Sequence, residues 1–205
     1  TQHPDIEPSD YDFAGDYALG KFDMSKLGTG EGAQAYGHGL YFSERRATAE
    51  KYKYDTSKGG SFYKSLEEGN IAKAETILEG DKGKLYEVKI KAREDEFLDF
   101  DGLLDDQEFI MGRLDSNRDE FEWALDNAYN AHIGYNPTGH ELLRVLSDGV
   151  SPDEVAASLN KIGIKGIKYK DAQTRFSPKG ATYNYVVFDD KLVSIANKYS
   201  ISLFA

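Results

Sequence analysis

The chain has 205 residues, 40% of them hydrophobic, which suits one domain with a real core and excludes a disordered polypeptide. Its formal net charge of −11 argues against a broad nucleic-acid or anionic-membrane footprint, which needs a Lys/Arg surface. A small phosphate-bearing ligand stays open, because a few cations and backbone N–H groups suffice to hold one. There is no cysteine, so disulfides and thiolate metal sites are excluded, and no apolar run reaches membrane-spanning length.

Along the chain, residues 1–19 are rich in Pro and Asp and read as irregular, and residues 28–39 form a glycine-rich loop. A short strand is expected over 40–43 and a helix over 48–54, followed by loop and a helical turn at 58–69 and a helix at 71–78. Clean alternation in Leu85-Tyr86-Glu87-Val88-Lys89-Ile90 predicts a strand with one buried face, and 97–104 reads as a strand end and turn. Three helices come next. Ser116 is expected to cap a run to about Ala131. Thr138-Gly139-His140-Glu141 and Ser151-Pro152-Asp153-Glu154 are capping boxes, the second with Pro at the first helical position. Two strands, 163–169 and 185–188, are expected to close the chain, the second with either Tyr185 and Val187 or Val186 and Phe188 on the core. The order is α+β, with strands early and late and helices between; a doubly wound sheet would alternate throughout.

Two motifs are open to chemical reading. Gly28-x-Gly30-x-Gly32 has the wrong spacing for a dinucleotide fingerprint and precedes a strand instead of following one. The four histidines, His3, His38, His132 and His140, lack paired metal-ligand spacing; His132 suits a helix C-terminus and His140 a solvent-facing helix position, so no metal is expected.

Gly37-His38-Gly39-Leu40-Tyr41-Phe42-Ser43, with Ala49 and Tyr52 after it, resembles the Gly-x-Gly-Ile-Tyr-Phe-Ala…Tyr segment of ADP-ribosyltransferases of the poly(ADP-ribose) polymerase and diphtheria-toxin type. Asn184-Tyr185-Val186-Val187-Phe188-Asp189 resembles that family's closing strand, Glu-Tyr-Ile-Val-Tyr-Asp. The segments 26–37 and 163–169 add a narrower resemblance to the ADP-ribosyltransferase domains of phage and prophage polyvalent proteins.

The resemblance implies a single domain over 1–205. Two small, roughly orthogonal sheets would flank an NAD cleft, with a mostly helical insertion at about 104–160. It implies NAD as co-substrate, a macromolecular acceptor expected to be a host protein, no membrane partner, and action in the cytoplasm of a bacterial host. Tyr41 and Tyr52 would grip the nicotinamide ring from both sides, their rings roughly 7 Å apart. Gly28, Gly30 and Gly32 would cover the donor phosphates, and Gly39 would let the donor approach the backbone. The loop 171–182 would select the acceptor, through Gln173 and Arg175.

Two positions depart from the family. The acidic residue of its His-Tyr-Glu triad falls on Asn184, which can hydrogen-bond a ribose hydroxyl but brings no negative charge. Glu31 and Glu44 are nearby candidates to supply one. No His-Gly dipeptide precedes the donor loop: either His3 takes the triad histidine's place, or the dipeptide lies ahead of Thr1.

Overall fold

The closing-strand motif becomes the middle of a four-stranded sheet. In the computed structural model, which describes residues 19–27, 35–53, 68–69, 84–130 and 136–200 (side chains of 51–53, 84 and 200 excepted), the strands are β1 (Leu40–Ser43), β2 (Lys84–Ile90), β3 (Phe97–Asp99), β4 (Gly166–Lys170), β5 (Tyr183–Val187) and β6 (Val193–Ser200). The helices are α1 (Arg46–Lys53), α2 (Glu108–Ser116), α3 (Arg118–Asn130), α4 (Gly139–Leu146) and α5 (Pro152–Lys161). The main sheet runs β1-β5-β4-β3, antiparallel except for the parallel β4/β3 pair, and β2 and β6 form a separate antiparallel ribbon. The fold is α+β.

Period-two alternation sends the residues of this sheet to two different cores. One face carries Leu98, Ile167, Tyr169, Val186 and Phe188 into the larger cluster, built mainly with α2 to α5. The other carries Leu40, Phe97 and Val187 against Val193, with Val88 and Ile90 of the ribbon and Phe22, Met24 and Leu27 of the N-terminal segment. The expectation that only one side of β5 packs on core is therefore corrected: Val186 and Val187 are both fully buried, because β5 is a central strand covered on both faces.

Close packing around β5 sets local sequence. Gly39 lies beside it with no room for a side chain, since a Cβ there would stand 2.6 Å from the Val187 carbonyl oxygen. Gly166, on the other flank, leaves only 2.1 Å to the Val186 carbonyl oxygen. Strand-to-strand contact thus accounts for both glycines.

Both capping boxes form as expected. Thr138 N–H donates to Glu141 Oε2 at 2.8 Å, and Ser151 N–H donates to Glu154 Oε2 at 3.1 Å with Pro152 opening α5. The helix starting at Ser116 is corrected. Ser116 ends α2, its hydroxyl donating to the Gly112 carbonyl at 2.7 Å, and α3 begins at Arg118. The helix α2 was not expected because Gln107 stands at its N-cap and makes no capping bond. That side chain instead accepts from Asp99 N–H at 2.8 Å and donates to the Asp99 carbonyl at 3.0 Å, bracing β3. Two further corrections concern strands. β4 starts at Gly166, after a turn, and β6 follows β5 where no strand was expected. The expected helix at 71–78 and turn at 58–69 lie almost wholly outside the described residues, as does His132.

Candidate functional site

The pairing β1/β5 places the two motifs side by side. Tyr41 is opposite Val186 and Ser43 is opposite Asn184, while on the other flank Tyr169 is opposite Asn184. Tyr41, Ser43, Asn184 and Tyr169 therefore share one sheet face, the face turned to the helices. Tyr41 and Asn184 are diagonal neighbours on it, within reach of one ligand.

Asn184 is 3% exposed, and its Oδ1 has no hydrogen-bond partner among the described residues. A buried amide oxygen left without a donor costs about 1–3 kcal/mol, which sets Asn184 apart from the other buried polar side chains of this face. Ser43, directly across, does not supply one; its hydroxyl oxygen accepts from Arg45 N–H at 3.2 Å.

Tyr41 is 37% exposed, and its hydroxyl is tied to the end of the glycine-rich loop. It accepts from Tyr36 N–H at 3.1 Å and donates to the Gly37 carbonyl at 2.7 Å. Tyr36 in turn lies flat on Tyr169, ring centroids 3.7 Å apart and planes 8° from parallel, with Phe100 edge-on at 5.0 Å. His140, exposed on α4, stacks on Phe100 at 4.5 Å. Aromatic residues thus neighbour Asn184 on this face, Tyr169 directly opposite it and Tyr41 on the diagonal.

A second polar group is buried on the same face. Asp171 follows β4, its N–H donating to the Thr182 carbonyl at 2.9 Å, so it continues the alternation Ile167, Tyr169, Asp171. It is 2% exposed. Its Oδ2 accepts from the buried Thr48 hydroxyl at 2.6 Å, its Oδ1 accepts from Gln173 N–H at 2.9 Å, and Arg45 Nη1 stands 3.8 Å away. Asp171 therefore joins α1, which carries Tyr52, to the loop 171–182. Sequence reasoning passed over Asp171 and Thr48. The signal was an acidic residue in phase with the apolar positions of β4.

Of the candidate acidic helpers, Glu44 is on the wrong side. Its carboxylate accepts from Tyr183 N–H at 2.8 Å and from the Tyr185 hydroxyl at 3.0 Å, on the face opposite Asn184. Burial first, and then the bond to Glu44, push the Tyr185 hydroxyl's pKa well above its ordinary value.

The loop 171–182 is braced from within. Thr182 N–H donates to Thr174 Oγ1 at 2.9 Å, the two threonine hydroxyls meet at 2.8 Å, and Thr174 N–H donates to the Asp171 carbonyl at 3.0 Å. Arg175 pairs within the chain, with Asp101 at 3.1 Å, and Asp101 also accepts from Lys170 N–H at 2.7 Å. Gln173 contributes its backbone to Asp171, with its side chain exposed. Phe176 stands beside Arg175, 92% exposed.

Tyr52 lies in the last turn of α1, but its ring is outside the described residues, as are His3, Gly28, Gly30, Glu31 and Gly32. A cavity of about 910 Å³ opens elsewhere, along the edge of β3, with Glu94, Asp99, Phe109 and Lys168 in its wall. It contains none of the expected site residues. Burial works to lower the pKa of its one lysine, but Glu94 at 2.9 Å and Asp99 at 3.6 Å outweigh that and raise it. We place the candidate site at Asn184, where a buried polar atom has no partner among the described residues. Among the described residues no group of three or more His, Cys, Asp or Glu side chains is arranged to hold a metal, and no helix is long and apolar enough to cross a membrane.

No family model, curated protein or solved structure matches this chain.

Proposed function

We propose that this chain is an ADP-ribosyltransferase domain that moves a single ADP-ribose from NAD to a macromolecular acceptor, most simply a protein, and releases nicotinamide. The observation that carries the reading is the buried, unpartnered Oδ1 of Asn184 beside Tyr41, at the two positions that the resemblance marks for ribose and nicotinamide. The division into a four-stranded sheet and a two-stranded ribbon is compatible with the split-sheet core of that family.

In the reaction, the bond between the nicotinamide ring nitrogen and C1 of its ribose breaks. The electron pair leaves with the nitrogen, which turns a pyridinium into neutral nicotinamide, and positive charge develops on C1 and the ring oxygen. An acceptor nucleophile forms the new bond to C1 and gives up one proton to solvent. Asn184 Oδ1 accepts a hydrogen bond from a ribose hydroxyl and so fixes the orientation of the sugar. Tyr41 and Tyr52 hold the flat ring that leaves. The exposed Phe176 on a braced loop suits recognition of a macromolecule better than of water. The resemblance to polyvalent-protein domains makes a phage or prophage protein acting inside a bacterial host the natural setting.

A second reading has its own support. An amide stands where the family has a carboxylate, and the Tyr41 hydroxyl is already engaged by the loop. Both fit a module that binds NAD or a protein without cleaving the donor.

Nicotinamide release from NAD by the full chain, with and without bacterial lysate, separates the two. The transferase reading expects release, label from adenine-labelled NAD on lysate protein, and a fall in rate on the order of 10²-fold for Asn184→Ala. NAD binding without release in either condition supports the binding module.

A further inference from the structure

A transferase that carries an amide at the triad's acidic position needs its negative charge from somewhere else. Among the described residues, one buried carboxylate lies on the same sheet face. Asn184 is opposite Tyr169, and Asp171 is the next residue of that face along the strand, so Asp171 and Asn184 are diagonal neighbours, with Cα atoms roughly 7 Å apart. Both are almost fully buried. The Asp171 carboxylate is fixed in place from two directions, by the Thr48 hydroxyl and by Gln173 N–H, and the nearest cation, Arg45, stands at 3.8 Å. Keeping a carboxylate buried on two hydrogen bonds and one loose ion pair is costly. The rival carboxylate, Glu44, faces the other way and is engaged by Tyr183 and Tyr185.

We propose that Asp171 supplies, from the neighbouring strand, the negative charge that Asn184 does not carry. The two act as a divided pair. The amide orients the ribose by hydrogen bonding, and the carboxylate, held next to it, steadies the positive charge on C1 as the bond to nicotinamide breaks. This inference rests on the transferase reading. No bond forms to Asp171 and no proton moves to it; its contribution is a fixed field acting on charge that exists only in the transition state. A unit charge about 7 Å from C1 in an effective dielectric of about 20 is worth on the order of 10- to 100-fold in rate, before the offset from Arg45 at 3.8 Å. A field of this kind lowers kcat when it is removed, while leaving donor affinity nearly untouched.

The test compares wild type, Asp171→Asn, Glu44→Gln and the double variant Asp171→Asn/Asn184→Glu. Nicotinamide release from NAD, KM for NAD and melting temperature are measured for each. Asp171→Asn keeps the shape of the side chain and an oxygen to accept from Gln173 or Thr48. It is expected to lower kcat by about 10- to 100-fold with KM and melting temperature close to wild type. The double variant returns a carboxylate to the same face and is expected to recover most of the loss, which repacking alone would not do. Glu44→Gln is expected to keep the wild-type rate. Wild-type kcat in Asp171→Asn, a loss that the double variant does not recover, or a loss that follows Glu44→Gln instead, each overturns the role of Asp171 and leaves the transferase reading standing. Absence of nicotinamide release from wild type overturns both.

Discussion

The two faces of the main sheet differ in whether every polar side chain finds a partner. On the face toward the β2–β6 ribbon, polar side chains end in partners: the Tyr185 hydroxyl in Glu44, and Lys168 in Glu94 and Asp99. On the face toward the helices, Asn184 keeps an amide oxygen with no donor, beside a carboxylate buried at Asp171. The ribbon face is built to be satisfied by the chain itself. The helix face is built with one polar position left over, which packing within the described residues does not explain.

The largest effect breaks both faces at once. Gly166→Ala forces a methyl group toward the Val186 carbonyl from 2.1 Å and toward Phe97 from 2.8 Å, with backbone on one side, so little can give way. A loss of about 3 kcal/mol is expected in chemical denaturation, at the upper end of ordinary overpacking. An unchanged midpoint would mean that β4 and β5 are not packed as described.

The next comparison sets the faces against each other. Asn184→Leu swaps the orphaned amide for an apolar group of similar size and is expected to raise stability by about 1 kcal/mol while abolishing donor use. Tyr185→Phe, on the ribbon face, removes a made hydrogen bond and is expected to cost about 1 kcal/mol without touching donor use. Denaturation midpoints of the two variants should therefore move in opposite directions. If Asn184→Leu destabilises as much as Tyr185→Phe, the amide oxygen is satisfied within the folded chain.

A smaller effect appears with pH. The folded-state pKa of Tyr185 lies above its ordinary value of 10.0, by burial and by the bond to Glu44. A raised pKa gives stability that is fully present below the unfolded value and is lost as pH climbs from there toward the folded one. Stability should decline as pH rises past about 10, and Tyr185→Phe should flatten that decline. Tyr129, whose pKa burial and Asp105 also raise, retains part of the slope in that variant.

How much of this was legible in the sequence differs by element. The helices α4 and α5 announce themselves because their caps are local: Thr138 with Glu141 and Ser151 with Glu154 satisfy backbone groups three residues apart. The helix α2 does not, because its first residue follows a glutamine used to brace β3, a contact that only the folded chain creates. The strand β6 was missed for a related reason. Its second half, Ala196-Asn197-Lys198-Tyr199-Ser200, has Tyr199 as its one strong strand former, and it becomes strand by pairing with β2 around a bulge at Glu87/Val88, where Glu87 collects Asn197 at 2.8 Å and Tyr199 at 2.7 Å. Within the site, the motifs alone point to Tyr41 and Asn184. That these share a face follows from the register of β1 on β5, and register is a property of the pair of strands. Asp171 was hidden because it sits where β4 gives way to the loop, and its partner Thr48 is 123 residues away.

The most direct measurement of the central claim is on Asn184 itself. In a uniformly ¹⁵N-labelled chain, the side-chain amide resonance of Asn184 is assigned by its disappearance in Asn184→Leu and followed while NAD is added. The account predicts a saturable shift of that resonance, because a ribose hydroxyl comes to bond Oδ1. A resonance that stays put while NAD saturates the chain would contradict it, and so would no binding of NAD at all.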